Sequence, residues 1–119
     1  MSKRILVVED QADTRQIIRD MLASTDYEIT EAENGEQALA AIAKQRPDLI
    51  LMDIQLPIVD GYTATLKSDP ALRSIPIIAV TSYALREEEN KARAAGCDDY
   101  VPKPFSPRQL LAKIRNFLQ

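Results

Sequence analysis

Leu49-Ile50-Leu51-Met52-Asp53 is the most telling stretch of this chain: four large apolar residues in a row, closed by a carboxylate. The run is too short for a helix and does not alternate with polar residues. It therefore reads as a strand buried on both faces, the situation in a parallel sheet. The same pattern recurs on either side. Ile5-Leu6-Val7-Val8 is followed by Glu9-Asp10, and Pro76-Ile77-Ile78-Ala79-Val80 by Thr81-Ser82. Tyr100-Val101 is a very short further strand, followed at once by Lys103-Pro104. Tyr27 to Ala32 alternates weakly and completes a set of five strands.

Helical spacing fills the gaps. From Thr14 the apolar residues fall at Ile17, Ile18, Met21 and Leu22; later they fall at Ala38, Leu39, Ala41 and Ile42, ending before Pro47. Asn34-Gly35 between them reads as a turn. A short helical piece is expected after Gly61, stopping by Asp69-Pro70, and a charged helix over Leu85–Ala95, ended by Gly96. Ser106 is placed to cap a last helix with Pro107 at its first position. Its apolar face is Leu110, Leu111, Ile114, Phe117 and Leu118. Strands alternating with helices imply an α/β protein, a doubly wound parallel sheet covered on both faces.

The bulk properties agree with one soluble domain spanning 1–119. Apolar residues make up 45% and charged residues 28% of the 119, which excludes a disordered tail or a disulfide scaffold. A formal net charge of -3 argues against nucleic acid, whose phosphates need a basic face. The single cysteine forms no internal disulfide, as suits a reducing compartment. The apolar run of the first strand is too short for a signal peptide, and no stretch is long enough to cross a membrane. A cytoplasmic location is expected. The chain has no histidine, so any metal must be held by oxygen or by one sulfur.

Ligands of such open sheets bind at the carboxyl ends of the strands. Those ends carry Glu9 and Asp10, then Asp53, then Thr81 and Ser82, then Lys103. Three carboxylates in one place repel: two unit charges at about 4 Å cost about 4 kcal/mol at an effective dielectric of 20. A divalent cation and the Lys103 ammonium would relieve this. Oxygen-only ligands suit a hard ion such as Mg2+. A carboxylate beside Mg2+ can act as a nucleophile toward phosphorus and form an aspartyl phosphate. Phosphoryl transfer asks mainly for positioning and charge neutralisation, which the ion, Lys103 and the Thr81 hydroxyl would supply. Taken alone, an acidic pair after a strand is an ordinary helix-start feature and Lys-Pro an ordinary turn. One chemically matched group at each strand end is what points to a site.

With these residues in view, the chain resembles the receiver domain of bacterial two-component response regulators. The likeness runs over essentially the whole chain. It is carried by VVEDQ at 7–11, LILMDIQLP at 49–57, DGY at 60–62, PIIAVTSYA at 76–84 and AAGCDDYVPKPF at 94–105. It implies a flavodoxin-like (βα)5 fold with strand order 2-1-3-4-5. It implies that Asp53 accepts a phosphoryl group from a phosphohistidine on a sensor histidine kinase or a histidine phosphotransfer protein. By matching position, Glu9, Asp10, Asp53 and the backbone carbonyl of Gln55 would hold Mg2+, with Asp10 the more direct of the acidic pair. Lys103 matches the phosphate-binding lysine, its bond to Pro104 expected cis. Thr81 matches the switch hydroxyl and Tyr100 the switch aromatic. Phosphorylation would draw Thr81 toward the phosphoryl group and let Tyr100 turn inward. The surface of the Leu85–Ala95 helix, the Tyr100 strand and the closing helix would then change for a downstream protein. Because the chain ends with that helix, a single-domain regulator without a fused output domain is expected.

Some features depart from the usual receiver. The Asp53–Thr81 spacing is about two residues short. Two residues turn a helix by about 200°, so the loss predicts a stub of two turns or fewer near Tyr62 and Leu66. Gln55 and Tyr83 stand two residues after Asp53 and Thr81, at positions that flank the attacking water in receiver hydrolysis. Neither is an acid, so slow self-dephosphorylation is expected. The last twenty residues hold Lys103, Arg108, Lys113 and Arg115 and no acid, whereas Arg86-Glu87-Glu88-Glu89 opens the helix before; a two-fold homodimer pairing these opposite charges is one reading, solvated faces the other. Cys97 reads as a small buried apolar residue.

Other functions fit less well. A flavin carrier of this fold needs a hydroxyl- and glycine-rich loop after the first strand, where Glu9-Asp10-Gln11-Ala12-Asp13 stands instead. An aspartyl-phosphate phosphatase should end that strand in D-x-D. A scaffold indifferent to phosphorylation would not keep Asp53, Thr81 and Lys103 together. The expected role is that of a phosphoacceptor and not of an enzyme turning over small substrates.

Overall fold

The computed structural model describes residues 3–53, 70, 72, 74–81, 97–102 and 106–118. In chain order these form β1 (Arg4–Val8), α1 (Ala12–Leu22), β2 (Glu28–Ala32), α2 (Gly35–Lys44), β3 (Leu49–Asp53), β4 (Ile77–Thr81), β5 (Asp99–Pro102) and α3 (Pro107–Phe117). The strands make one parallel sheet in the order β2-β1-β3-β4-β5, as the resemblance implies. The expected helical stub after Gly61 and the Leu85–Ala95 helix lie outside the described residues.

Burial explains the apolar runs. Ile5, Val7, Leu49, Leu51, Ile78 and Val101 pack with Ile18 and Leu22 of α1 and Leu110 and Ile114 of α3. The intervening Leu6, Val8, Ile50, Met52, Ile77 and Ala79 pack on the opposite face with Ala38 and Ile42 of α2, and with Cys97. Successive side chains point to opposite faces, so a strand covered on both needs apolar residues at every position. β2 lies at the edge and only Ala32 of its five residues is buried, which is why its sequence signal is weak.

Helix starts differ from expectation in two places. Helix α1 begins at Ala12, two residues before Thr14, because its N-cap Gln11 makes no side-chain cap bond and leaves no start signal. Asn34-Gly35 is not a free-standing turn: Asn34 is the N-cap of α2 and its side chain accepts from the Gln37 N–H at 2.8 Å. The Gln37 side chain in turn accepts from the Glu33 N–H, also at 2.8 Å. Helix α3 has the expected cap, with Ser106 and Gln109 forming a reciprocal box and Pro107 in the first turn. Three residues assigned to apolar faces are in fact exposed. Ile17 is 52% exposed, Leu39 36% and Phe117 37%, since Ile18–Leu22, Ala38–Ile42 and Leu110–Ile114 are the i,i+4 pairs that are buried.

The amino edge of the sheet is pinned by two aspartates. Asp48 accepts from the Arg4 N–H at 2.8 Å through its side chain, and its own N–H donates to the Arg4 carbonyl at 2.8 Å. Asp98 does the same to Ile77, accepting its N–H at 2.8 Å and donating to its carbonyl at 2.7 Å. Each carboxylate therefore begins a ladder, β1 against β3 and β4 against β5, and fixes its register.

Candidate functional site

The registers bring the expected site residues to one edge. Val8 pairs with Met52, so Glu9 and Asp53, the next residues, are level with each other across β1 and β3. Asp53 pairs with Val80, and Thr81 pairs with Pro102 at the ends of β4 and β5. Asp53 and Thr81 thus close their strands as the last paired residues, where the sequence suggested positions just beyond them. Lys103 follows Pro102 in the chain, but Lys103, Gln55 and Tyr83 lie outside the described residues.

Glu9 and Asp10 are neighbours with opposite exposure. Glu9 is only 2% exposed, whereas Asp10 is exposed to solvent. The Glu9 N–H extends the ladder to the Ala32 carbonyl at 3.0 Å, and its carboxylate accepts from the Gln11 N–H at 3.3 Å. One carboxylate is thus fixed inside the edge while the other reaches outward. Such oxygen donors fit a hard divalent cation. Among the described residues no three acidic, thiol or imidazole groups converge as a metal site; of the four donors the resemblance implies, Gln55 lies outside the described residues.

Tyr100 is half-buried and stands on β5 opposite Ala79. It closes a row of paired residues across the sheet, Ala32–Val8–Met52–Ala79–Tyr100, all packed in or against the same apolar cluster. Thr81 lies two residues further along β4 than Ala79. Beside Tyr100, Asp99 accepts from the Tyr100 N–H at 2.8 Å and from Lys113 Nζ of α3 at 3.1 Å. That ion pair engages one of the closing helix's cations within its own chain.

A basic group at this edge was not foreseen. Arg15 of α1 reaches back to Glu9, donating from Nη1 to its carbonyl at 2.7 Å. Its guanidinium also meets Glu31 at 3.2 Å and Glu33 at 3.6 Å. The only sequence signal was an arginine one turn into a helix that follows the acidic pair. Among the described residues no helix is long and apolar enough to cross a membrane.

Comparison with known proteins agrees with this geometry. The response regulator receiver domain model matches residues 5–115. The polar-differentiation response regulator DivK of Brucella anthropi is 42% identical over 120 residues, covering 99% of this chain and 98% of that protein. A response regulator structure from Chloroflexus aurantiacus superposes with a TM-score of 0.93 at 28% identity, covering 99% of this chain and 98% of the other. The receiver domain of the sensor histidine kinase PA1611 from Pseudomonas aeruginosa superposes with a TM-score of 0.89 at 33% identity, covering 99% and 98% of the two chains. That structure has a magnesium ion coordinated in its active-site cleft. The receiver-domain match over residues 5–115 and the likeness to DivK over nearly the whole chain, on a parallel sheet ordered β2-β1-β3-β4-β5, make this chain a member of the response regulator receiver family, a two-component signalling protein that partners histidine kinases and is not a turnover enzyme.

Proposed function

We propose that residues 1–119 form one receiver domain in which Asp53 takes a phosphoryl group from a phosphohistidine in a Mg2+-dependent step. The donor is a sensor histidine kinase or a histidine phosphotransfer protein, met in the cytoplasm. The observation that carries the reading is the register that sets Asp53 level with Glu9 and beside the end of β4. An Asp53 carboxylate oxygen forms the new P–O bond as the P–N bond to the donor imidazole breaks, and the imidazole leaves. Glu9, Asp10, Asp53 and the Gln55 carbonyl would hold the ion, which when bound neutralises charge on the transferred oxygens. Lys103 supplies a second positive charge there. Thr81 bonds a phosphoryl oxygen in the phosphorylated state, and Tyr100 repositions against the Ala79 row. The result is a population shift at the surface shared by β5, the Leu85–Ala95 segment and α3, read by a downstream protein. Gln55 and Tyr83 offer no acid to activate water, so the phosphoryl group is long-lived. The same surface suits a second copy of the chain, with Arg108 and Arg115 exposed on α3.

Intact mass after incubation with Mg2+ and acetyl phosphate tests the chemistry. A Mg2+-dependent, hydroxylamine-labile phosphoryl adduct is expected on the native chain and none on Asp53→Asn. If acetyl phosphate leaves no adduct, a phosphorylated histidine kinase or phosphotransfer protein is the next donor. An adduct that survives in Asp53→Asn would overturn the assignment of the acceptor.

A further inference from the structure

We propose that Arg15 is a positioning residue for the acidic pair, holding the Glu9–Asp10 peptide in the orientation that presents both carboxylates to a divalent cation. The inference rests on the reading of Glu9 and Asp10 as cation ligands. Arg15 lies in the second turn of α1 with its side chain only 13% exposed. Its shortest bond, 2.7 Å from Nη1, is to the Glu9 backbone carbonyl and not to a carboxylate. A peptide unit is planar, so fixing that oxygen also fixes the Asp10 N–H and the direction in which Asp10 leaves the strand. Glu9 is thereby held at three atoms: N–H to Ala32, carbonyl by Arg15, and carboxylate by the Gln11 N–H.

The fork is itself held from behind. Nε lies 3.2 Å from Glu31 of β2, and Nη2 lies 3.6 Å from Glu33 in the loop before α2. Glu31 also takes Arg19 at 3.1 Å, and the Glu33 backbone is tied to Gln37. A guanidinium can reach three separated acceptors at once because its five donors are spread over three nitrogens of one rigid plane; the three donors of an ammonium radiate from a single atom and do not span such a set. Two carboxylates already offset the charge of Arg15. Its effect on the acidic pair is therefore orientation, not neutralisation.

This separates the proposal from a simple charge effect. Removing a nearby positive charge would by electrostatics alone tighten cation binding, whereas loss of positioning weakens it. The test is calorimetric titration of Mg2+ into the full chain, native and with Arg15→Gln or Arg15→Lys, with thermal unfolding to confirm that each is folded. Partners of metal ligands typically contribute 10–100-fold to affinity, so both variants are expected to bind Mg2+ about tenfold more weakly. The Asp10 amide resonance of the metal-free protein is expected to move in both. Unchanged or tighter binding by folded Arg15→Gln, or native affinity in Arg15→Lys, overturns the proposal while leaving the cation site standing. If Arg15→Gln does not fold, Arg15→Lys decides alone. Absence of Mg2+ binding by the native chain overturns the cation reading and this inference with it.

Discussion

Under the proposed switch, Tyr100 is the single residue that ties chemistry to surface. Its backbone is paired to Ala79, two residues short of Thr81, and its ring packs against the cluster beneath the sheet. Under the proposed switch, a change at Thr81 would reach Tyr100 through β4 and β5 and leave the β3–β4 register in place. Replacing Thr81 by Ala removes the hydroxyl that would bond the phosphoryl group but leaves Asp53 in place. Thr81→Ala is expected to accept phosphate normally yet bind its downstream protein more weakly; equal affinity of the phosphorylated native and variant chains would refute the switch role. The contact of Arg15 with Glu9 was not legible in the sequence for a physical reason. Which atoms a long helical side chain reaches depends on how the helix lies on the sheet, and no local pattern records that.

At the scale of elements, the strands were the most legible feature and helix starts the least. A strand covered on both faces must be apolar throughout, so β1, β3 and β4 announce themselves in sequence. Helix α1 has no side-chain cap to mark its start, and Asn34-Gly35 carries the same residues whether it makes a turn or a cap. The aspartates at the amino edge were also unreadable, because Asp48 and Asp98 act on strands 44 and 21 residues away in the chain. Each gives a carboxylate to a backbone N–H that would otherwise face the sheet's end unpaired. A hydrogen bond to a charged group contributes about 2 kcal/mol, so Asp98→Ala is expected to lower unfolding free energy by about that much. Asp98→Asn, which keeps one acceptor oxygen, should lose less. Denaturant unfolding of both variants checks the order; equal losses would show that the side-chain bond contributes little.

For the whole molecule, the open question of assembly centres on α3. Lys113 is engaged with Asp99, leaving Arg108 and Arg115 as the exposed cations of the helix toward any partner copy. Exposed ion pairs are weak and screened by salt, so such a dimer would need the switched surface to add apolar contact. Sedimentation is expected to show a monomer without a phosphoryl mimic and a salt-sensitive dimer with one. A monomer under both conditions would remove the dimer and leave a separate downstream protein as the reader.

The row Ala32–Val8–Met52–Ala79–Tyr100 crosses all five strands, a span of roughly 19 Å at the usual strand spacing. Close-packed interiors compress little, so its outer end cannot be gripped without loading the middle, next to Asp53. Under the proposed switch, any protein that prefers one placement of Tyr100 must bias the acceptor by the same factor with which the acceptor biases that protein. A listener at the β5 margin is thus also a voice: by binding, it prolongs or shortens the message it came to hear.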